Sequence, residues 1–438
     1  MKTANKRINT RNKTRKNKQH VNGKIINSKE GWIHLEVGGE PREIGFAHGY
    51  LLRSHFSQIL KVLPYNVATE LNIPYADYLR DCKRLFTPIL DDPEWHFIRE
   101  ELHGIVAGAA TKGITYDFLV AWNSFLSMCT YYEKNHVSDK GRCSAFIATG
   151  SATKTGEIVM AHNTHSDFAT GFLMNVVMRI KPANHDGFLM QTAPGLICSS
   201  SDWFICENGI IGCETTISNL NFKPEFSIGI PYYLRIRKAM QYGKTLDDYV
   251  EIMSKKSAGD YACTWFLGDV NTGEIMMFEN GRNHSGVQRT MDGIFHASND
   301  AMTPEVALLE TTGVEKYDPD STTGSRYLRM EYLLFDKYKG KLDKDSAKKI
   351  MSDHYDVSKS KYNMGKMTIC KHAELESDGK KMKGATDGKV VDSTMAKKMQ
   401  FEGRMGSCCG RIFRRADFNL AKNVPILNMP RHKWTRLG

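Results

Sequence analysis

What this sequence lacks narrows it first. Nowhere in its 438 residues is there an unbroken apolar run of about eighteen, the length a spanning helix requires, so no membrane span is expected. No apolar run of about seven or more follows the positive residues at the start, which argues against a secretory signal. The ten cysteines include no Cys-x-x-Cys pair. Without a signal peptide they read as thiols of a reduced, cytoplasmic protein rather than a disulfide framework. No internal repeat is visible. Residues 1–24 contain no acid and no aromatic but nine Lys or Arg, so without them the formal charge of +11 falls to +2. The basicity therefore belongs to a tail, which has too few apolar residues to order itself. Lacking aromatics for base stacking, the tail implies no specific nucleic-acid partner. It reads as a solvated appendage, with an electrostatic arm for RNA or acidic surfaces and a nuclear-import signal as the other readings.

What remains is ordinary for a globular core: 41% hydrophobic and 10% aromatic residues. Gly31 to Val37 alternates as a strand. Pro41 opens a helix over 42–60 that puts His48 and His55 on one face as packing residues. A second helix, capped by Asp91-Asp92-Pro93, runs to about Thr111, and a third covers Asp117 to Met128. Later strands are expected at 172–181, 187–192, 203–207 and 210–216, helices at 231–241 and 245–256, and a hairpin over 261–280 turning on Asn271-Thr272-Gly273. Ser325–Tyr338 and Asp343–Tyr355 read as helices, and beyond 360 the pattern weakens. Long helices around repeated hairpins indicate an α/β fold of stacked sheets covered by helices.

The centre of the chain is KGRCSAFIATGSATKTGEIVMAHNTHSDF, residues 140–168. Cys143 to Thr149 alternates as a strand, Lys154-Thr155-Gly156 turns, and Glu157 to Thr164 returns. The turn brings the Cys143 thiol near His162, Asn163 and His165. The bland reading is a half-buried core cysteine. Against it stands a polar approach, Val137 to Arg142, that ends abruptly at Cys-Ser and could be cut to leave Cys143 as a new N-terminus. A metal site from His162, His165 and scattered thiols lacks ligand spacing, so no metal and no cofactor is expected. The cluster Cys198-Ser199-Ser200-Ser201-Asp202 is a turn former whose Ser200 and Ser201 could also donate to a substrate.

GRCSAFIATGSATKTGEIVMAHNT resembles the nucleophile hairpin of the acyl-coenzyme A:6-aminopenicillanate acyltransferase-like family, cysteine N-terminal nucleophile (Ntn) hydrolases with phospholipase B-like proteins as relatives. GGEPREIGFAHGYLL (38–52), YACTWFLGDVNTGEI (261–275) and GATDGKVVDSTMAKKMQFEGRMGSCCGRIF (384–413) agree with it in family order. The resemblance implies a four-layer αββα sandwich. It implies a cut between Arg142 and Cys143, so that a mostly helical segment 25–142 and a nucleophile-bearing segment 143–438 form one domain behind the tail. Cys143 matches the nucleophile, and its freed α-amine, with a pKa of about 8, is the base. His162 and Asn163 match the family's His-Asn pair. His165 replaces a Trp or Asp of relatives. Cys263 sits where many relatives have the oxyanion-donating Asn, with Thr264, Asn280 and Asn299 as substitutes. Arg326 is the candidate for the family's late arginine and Arg329 the second, although each reads equally as a helix-surface charge. The implied activity is acyl cleavage or transfer at a small amide or acyl thioester. The alternatives are a catalytically weakened relative that binds or scaffolds, and a phospholipase B-like lipid amidase or esterase.

Overall fold

A computed structural model describes residues 21–132, 142–377 and 382–438. Residues 1–20 of the tail, and Val137 to Gly141 of the approach to Cys143, lie outside the described residues. The chain is mixed α/β, with two large sheets.

It opens with β1 (Gly23–Lys29), which starts inside the stretch read as tail, and β2 (Trp32–Gly39). Six helices follow: α1 (Pro41–Leu51), α2 (Phe56–Asn66), α3 (Tyr75–Asp91), α4 (His96–Ala109), α5 (Tyr116–Asn123) and α6 (Phe125–Tyr132). Pro41 takes the first turn of α1 as expected, but the helix expected over 42–60 is broken by a 3-10 turn at Arg53–His55. The break redirects α2 so that Phe56, Ile59, Val62 and Leu63 reach the core. It also removes the face His48 and His55 would have shared. His48 is buried and accepts the Gly195 N–H at 2.9 Å, and burial lowers its pKa to about 3. The helix expected from Asp117 to Met128 is likewise two, divided at Ser124.

Helices α1 and α4 cross at near backbone contact. A Cβ on Gly45 would lie 1.9 Å from the Glu101 carbonyl oxygen, and one on Gly104 would lie 2.3 Å from that of Arg42. Gly49 and Gly108, one turn on, face Ile105 and Phe46 as closely. The two Gly-x-x-x-Gly spacings let the backbones approach, as small residues do at tight helix pairs.

Next come the hairpin β3 (Cys143–Gly150) and β4 (Gly156–Asp167), a short helix α7 (Phe168–Gly171), and strands β5 (Val176–Pro182), β6 (Phe188–Thr192), β7 (Trp203–Cys206) and β8 (Ile210–Thr216). Helices α8 (Tyr232–Tyr242) and α9 (Leu246–Ser254) precede β9 (Cys263–Asp269), β10 (Glu274–Asn280), β11 (Ser285–Thr290) and β12 (Gly293–Ala297). Helices α10 (Pro304–Leu309), α11 (Thr322–Glu331) and α12 (Lys344–Met351) follow, then a ribbon of β13 (Tyr355–Asp356) and β14 (Lys361–Tyr362). The weak pattern beyond 360 conceals three more strands, β15 (Lys383–Asp392), β16 (Phe401–Met405) and β17 (Thr435–Leu437). Buried polar residues Thr386, Asp387 and Lys389 disguise the alternation of β15.

Nine strands form one sheet in the order β1-β2-β5-β6-β7-β8-β9-β10-β11, and six form the other, β12-β3-β4-β15-β16-β17. Their facing sides can be read from side-chain contacts. A Cβ on Gly268 of β9 would touch Ile147 and Ile158 of the hairpin at 3.0 and 3.1 Å. Because strand side chains alternate, Thr264 and Phe266 face the hairpin sheet with Gly268, and Cys263, Trp265 and Leu267 face away. Trp265 accordingly stacks on Tyr232 of α8. In the hairpin sheet, Cys143, Ala145, Ile147, Ile158, Met160, His162 and Thr164 share the side turned toward the nine strands. Phe146, Ala148, Val159 and Ala161 pack with Ile350 and Met351 of α12 in a second apolar cluster. Among the described residues no helix is long and apolar enough to cross a membrane, and the ten cysteines form no disulfide.

Candidate active site

Cys143 begins β3 and lines a cavity of about 480 Å³ whose wall includes Trp122, Phe125, Leu126, Leu196 and Ile217. The register pairs Cys143 with Thr164 and Ala145 with His162. Cys143 and His162 are therefore diagonal neighbours on one face. The Cys143 sulfur, a His162 ring nitrogen and an Asp202 carboxylate oxygen lie within 4.8 Å of one another. Such a trio could attack an acyl carbon or hold a borderline cation.

The backbone of Cys143 is held from both sides. Its N–H donates to Asn299 Oδ1 at 3.0 Å, and its carbonyl accepts from Arg326 at 2.6 Å. The Arg326 guanidinium also donates to Ser144 Oγ at 2.8 Å, Ser298 O at 3.0 Å and Asn299 Oδ1 at 2.9 Å. Arg326 is thus fully buried rather than a surface charge, and it grips the strand around Cys143. Arg329 instead pairs with Asp353 at 2.8 Å. Asn299 can bend into this position because it adopts a left-handed backbone, φ 79°, which asparagine tolerates.

Period two separates residues that are adjacent in sequence. Asn163 and His165 point to the other side of the sheet from His162, and both bind the Ile369 carbonyl, at 2.8 and 3.0 Å. His165 meets the thiol only through its backbone N–H, which faces the Cys143 sulfur. Cys263 lies on the helix-facing side of β9 and does not line the cavity, whereas Tyr261 and Ala262 do. Thr264 donates to Glu279 at 2.7 Å, and Asn280 donates to Met253 O at 2.8 Å. Ser200 lines the cavity with Arg142. Ser201 is buried beneath, donating to Gln191 O at 3.3 Å and accepting Lys389 at 2.7 Å.

Several residues that complete the site carry little signal in the sequence. Asp202 belongs to the cluster noticed for its serines, and its left-handed φ of 63° turns it into the site. Its carboxyl lies near enough to that of Glu214 for the two to perturb each other, and Tyr232 and Tyr261 donate to Asp202 and Glu214 at 3.3 and 2.7 Å. Lys389 stands opposite His162 and binds Thr164 Oγ1 at 2.9 Å and Asp387 at 3.0 Å. The visible clue to Lys389 and Asp387 is two charges, two residues apart, next to the apolar pair Val390-Val391.

Burial sets the protonation states. It pushes Asp202 up to about 6, and together with Asp202 it pushes Glu214 well above the usual carboxyl range, so the pair retains a proton at neutral pH. Burial and these two carboxyls raise the Cys143 thiol well above its ordinary value, against the His165 N–H and Lys389. Burial and then Lys389 hold His162 well below its ordinary value, and burial with Arg326 and Lys371 does the same to His165. The resting site is a protonated thiol beside a neutral imidazole.

Comparison with known proteins gives three findings. Residues 113–289, from before α5 to β11, match the Phospholipase B family model. An uncharacterized protein of Archaeoglobus fulgidus is 23% identical over 255 residues, which are 54% of this chain and 40% of that protein, so the chain spans less than half of that relative's length. Two crystal structures of conjugated bile acid hydrolase from Clostridium perfringens, both of altered enzymes, are similar in part. One is 12% identical with a TM-score of 0.37, covering 60% of this chain and 89% of its own. The other is 11% identical with a TM-score of 0.30, covering 62% and 83%. The segment that carries Cys143, His162 and Asp202 lies wholly within the matched residues, and through it the chain is related to the phospholipase B-like proteins.

Proposed function

We propose that this chain is a thiol-dependent amidohydrolase or acyltransferase of the Ntn type, built as a four-layer αββα sandwich and activated by a cut between Arg142 and Cys143. The observation that carries the reading is Cys143 at a strand start, its sulfur at the cavity wall and its backbone clamped by Asn299 and Arg326. Before the cut, the thiol would add to the Arg142 carbonyl carbon and the scissile nitrogen would leave as the Cys143 amine; water would then hydrolyse the resulting Arg142–sulfur thioester, leaving a new C-terminal carboxylate and the free thiol. That amine would remain beside Asn299 Oδ1. With a pKa of about 8 it can accept the thiol proton during attack on a substrate, which a thiol held protonated at rest requires. The substrate acyl carbon bonds to sulfur, the amine or alcohol leaves with a proton, and water or a second amine releases the acyl group. The apolar wall of Trp122, Phe125 and Leu126 fits a hydrophobic acyl chain. The segments 25–142 and 143–438 would stay together, because β1 and β2 belong to the nine-stranded sheet.

A second reading keeps the thiol and changes the bond: a lipid ester or amide, favoured by the phospholipase B match together with that apolar wall. N-terminal sequencing and intact mass of the purified protein test the mechanism common to both. We expect chains 1–142 and 143–438, with Cys143→Ala abolishing cleavage and activity together. An uncut chain with full activity would refute the N-terminal amine as base and leave Cys143 working with His162 as a thiol–imidazole pair. Comparing long-chain acyl amides with lysophospholipids then separates the two substrates.

A further inference from the structure

Beyond α12 the chain runs from 352 to 377 with little regular structure, only the two-residue strands β13 and β14 and a 3-10 turn at Ala373–Glu376. An irregular stretch of this length inside a folded domain needs something to hold it. Four side chains converge there: His354, Cys370, His372 and, from the turn after β16, Cys409. One ligand atom from each lies within 4.8 Å of all the others. His372 Nε2 is 3.2 Å from His354 Nε2, 3.6 Å from Cys370 Sγ and 3.4 Å from Cys409 Sγ.

These separations fit one ion. Zinc bonds of about 2.0 Å to nitrogen and about 2.3 Å to sulfur put tetrahedral ligand atoms about 3.3 Å apart for N···N and about 3.6 Å apart for N···S. The outer contacts fit as well. His372 Nδ1 faces Glu374 Oε1 at 2.8 Å, the carboxylate–imidazole arrangement that orients a metal-bound histidine, and Ser407 Oγ lies 3.5 Å from Cys409 Sγ. None of the four lines the cavity at Cys143.

We propose that His354, Cys370, His372 and Cys409 form a closed structural zinc site, separate from the Cys143 site. Binding would displace one proton from each thiol and leave two thiolates and two neutral imidazoles around Zn²⁺, a set with no open position for substrate. Its role is to fasten the 352–377 segment to the turn after β16.

The test uses the full chain, expressed without chelators and desalted. Elemental analysis is expected to find one zinc per chain, retained in Cys143→Ala and reduced at least tenfold in Cys370→Ser/Cys409→Ser. If the double variant does not fold, the unaltered chain decides: exchange of its metal for Co²⁺ should give the thiolate-to-cobalt charge-transfer band and the intense visible bands of tetrahedral coordination. A chain free of zinc, a Cys370–Cys409 disulfide in the native peptide map, cobalt without a thiolate band, or zinc lost on Cys143→Ala would each overturn the proposal.

Discussion

Asp202→Asn should make this protein more stable, and the size of the gain follows from the site. Asp202 is 2% exposed, and burial, opposed by Glu214, Lys389 and Tyr232, raises its pKa from 3.8 to about 6. Between those values the folded chain holds a proton that the unfolded chain has released, so stability falls as pH rises through that window. At about 1.4 kcal/mol per pH unit the cost reaches about 3 kcal/mol above pH 6. Asparagine removes the charge, and with it part of what raises the neighbouring Glu214 carboxyl. It accepts the Tyr232 hydroxyl as aspartate does and tolerates the left-handed φ of 63°. Urea denaturation of both proteins at several pH values reads the difference. Asp202→Asn should exceed the parent by about 3 kcal/mol at pH 7.5, by about half of that at pH 5, and by almost nothing below pH 4. Alkylation of Cys143 should also quicken, because a charge that opposes the thiolate is gone. Equal stability at pH 7.5, or a gain that does not change with pH, would refute burial of the Asp202 charge as the source of the cost.

Other perturbations separate the scaffold from the site. Against its burial, Lys348 and Lys344 hold Glu402 down to about 2, so this carboxylate supports the fold above pH 4.5 and the support is lost as pH falls through 2. Glu402→Gln should therefore cost up to about 3 kcal/mol at pH 7 and little at pH 2, by thermal melting. Gly45→Ala drives a Cβ into the Glu101 carbonyl and should cost about 3 kcal/mol of unfolding free energy by urea denaturation, whereas Gly156→Ala, with nothing within 4 Å of its Cβ, should cost about 1 kcal/mol for its φ of 76°. Arg326→Lys cannot span the Cys143 and Ser298 carbonyls together. It should slow both the proposed cleavage before Cys143 and the proposed turnover on the order of a hundredfold by misplacing Cys143, measured by the time course of chain cleavage and by steady-state rates.

How much of this was legible varies with the physics behind each feature. The hairpin 143–164 and the strands and helices from 176 to 280 stand out because their alternation is apolar and their turns carry glycine. The meeting of Cys143 with His162 follows from the turn alone. The sequence motif treats His162, Asn163 and His165 as one group, but the pleat divides them. Only the position of the opposite sheet, a long-range fact, says which face is chemical. Asp202 and Glu214 were hidden for the same reason, since loop backbone and distant strands bring them together. His354, Cys370 and His372 lie before β15 and Cys409 after β16, so the four have no compact spacing to announce them.

The two-sidedness of β4 has a consequence for how this protein can change over evolutionary time. Ile158, Met160, His162 and Thr164 face the opposing sheet and the thiol, while Asn163 and His165 fasten to Ile369 behind. Substitutions can alter one series without touching the other, so reactivity and anchorage are free to drift apart. A single inserted or deleted residue between Gly156 and His165 exchanges the two series at once and loses both. The strand should therefore tolerate many point changes and almost no change of length, and a library of variants across 156–165 selected for soluble, processed protein would show that asymmetry.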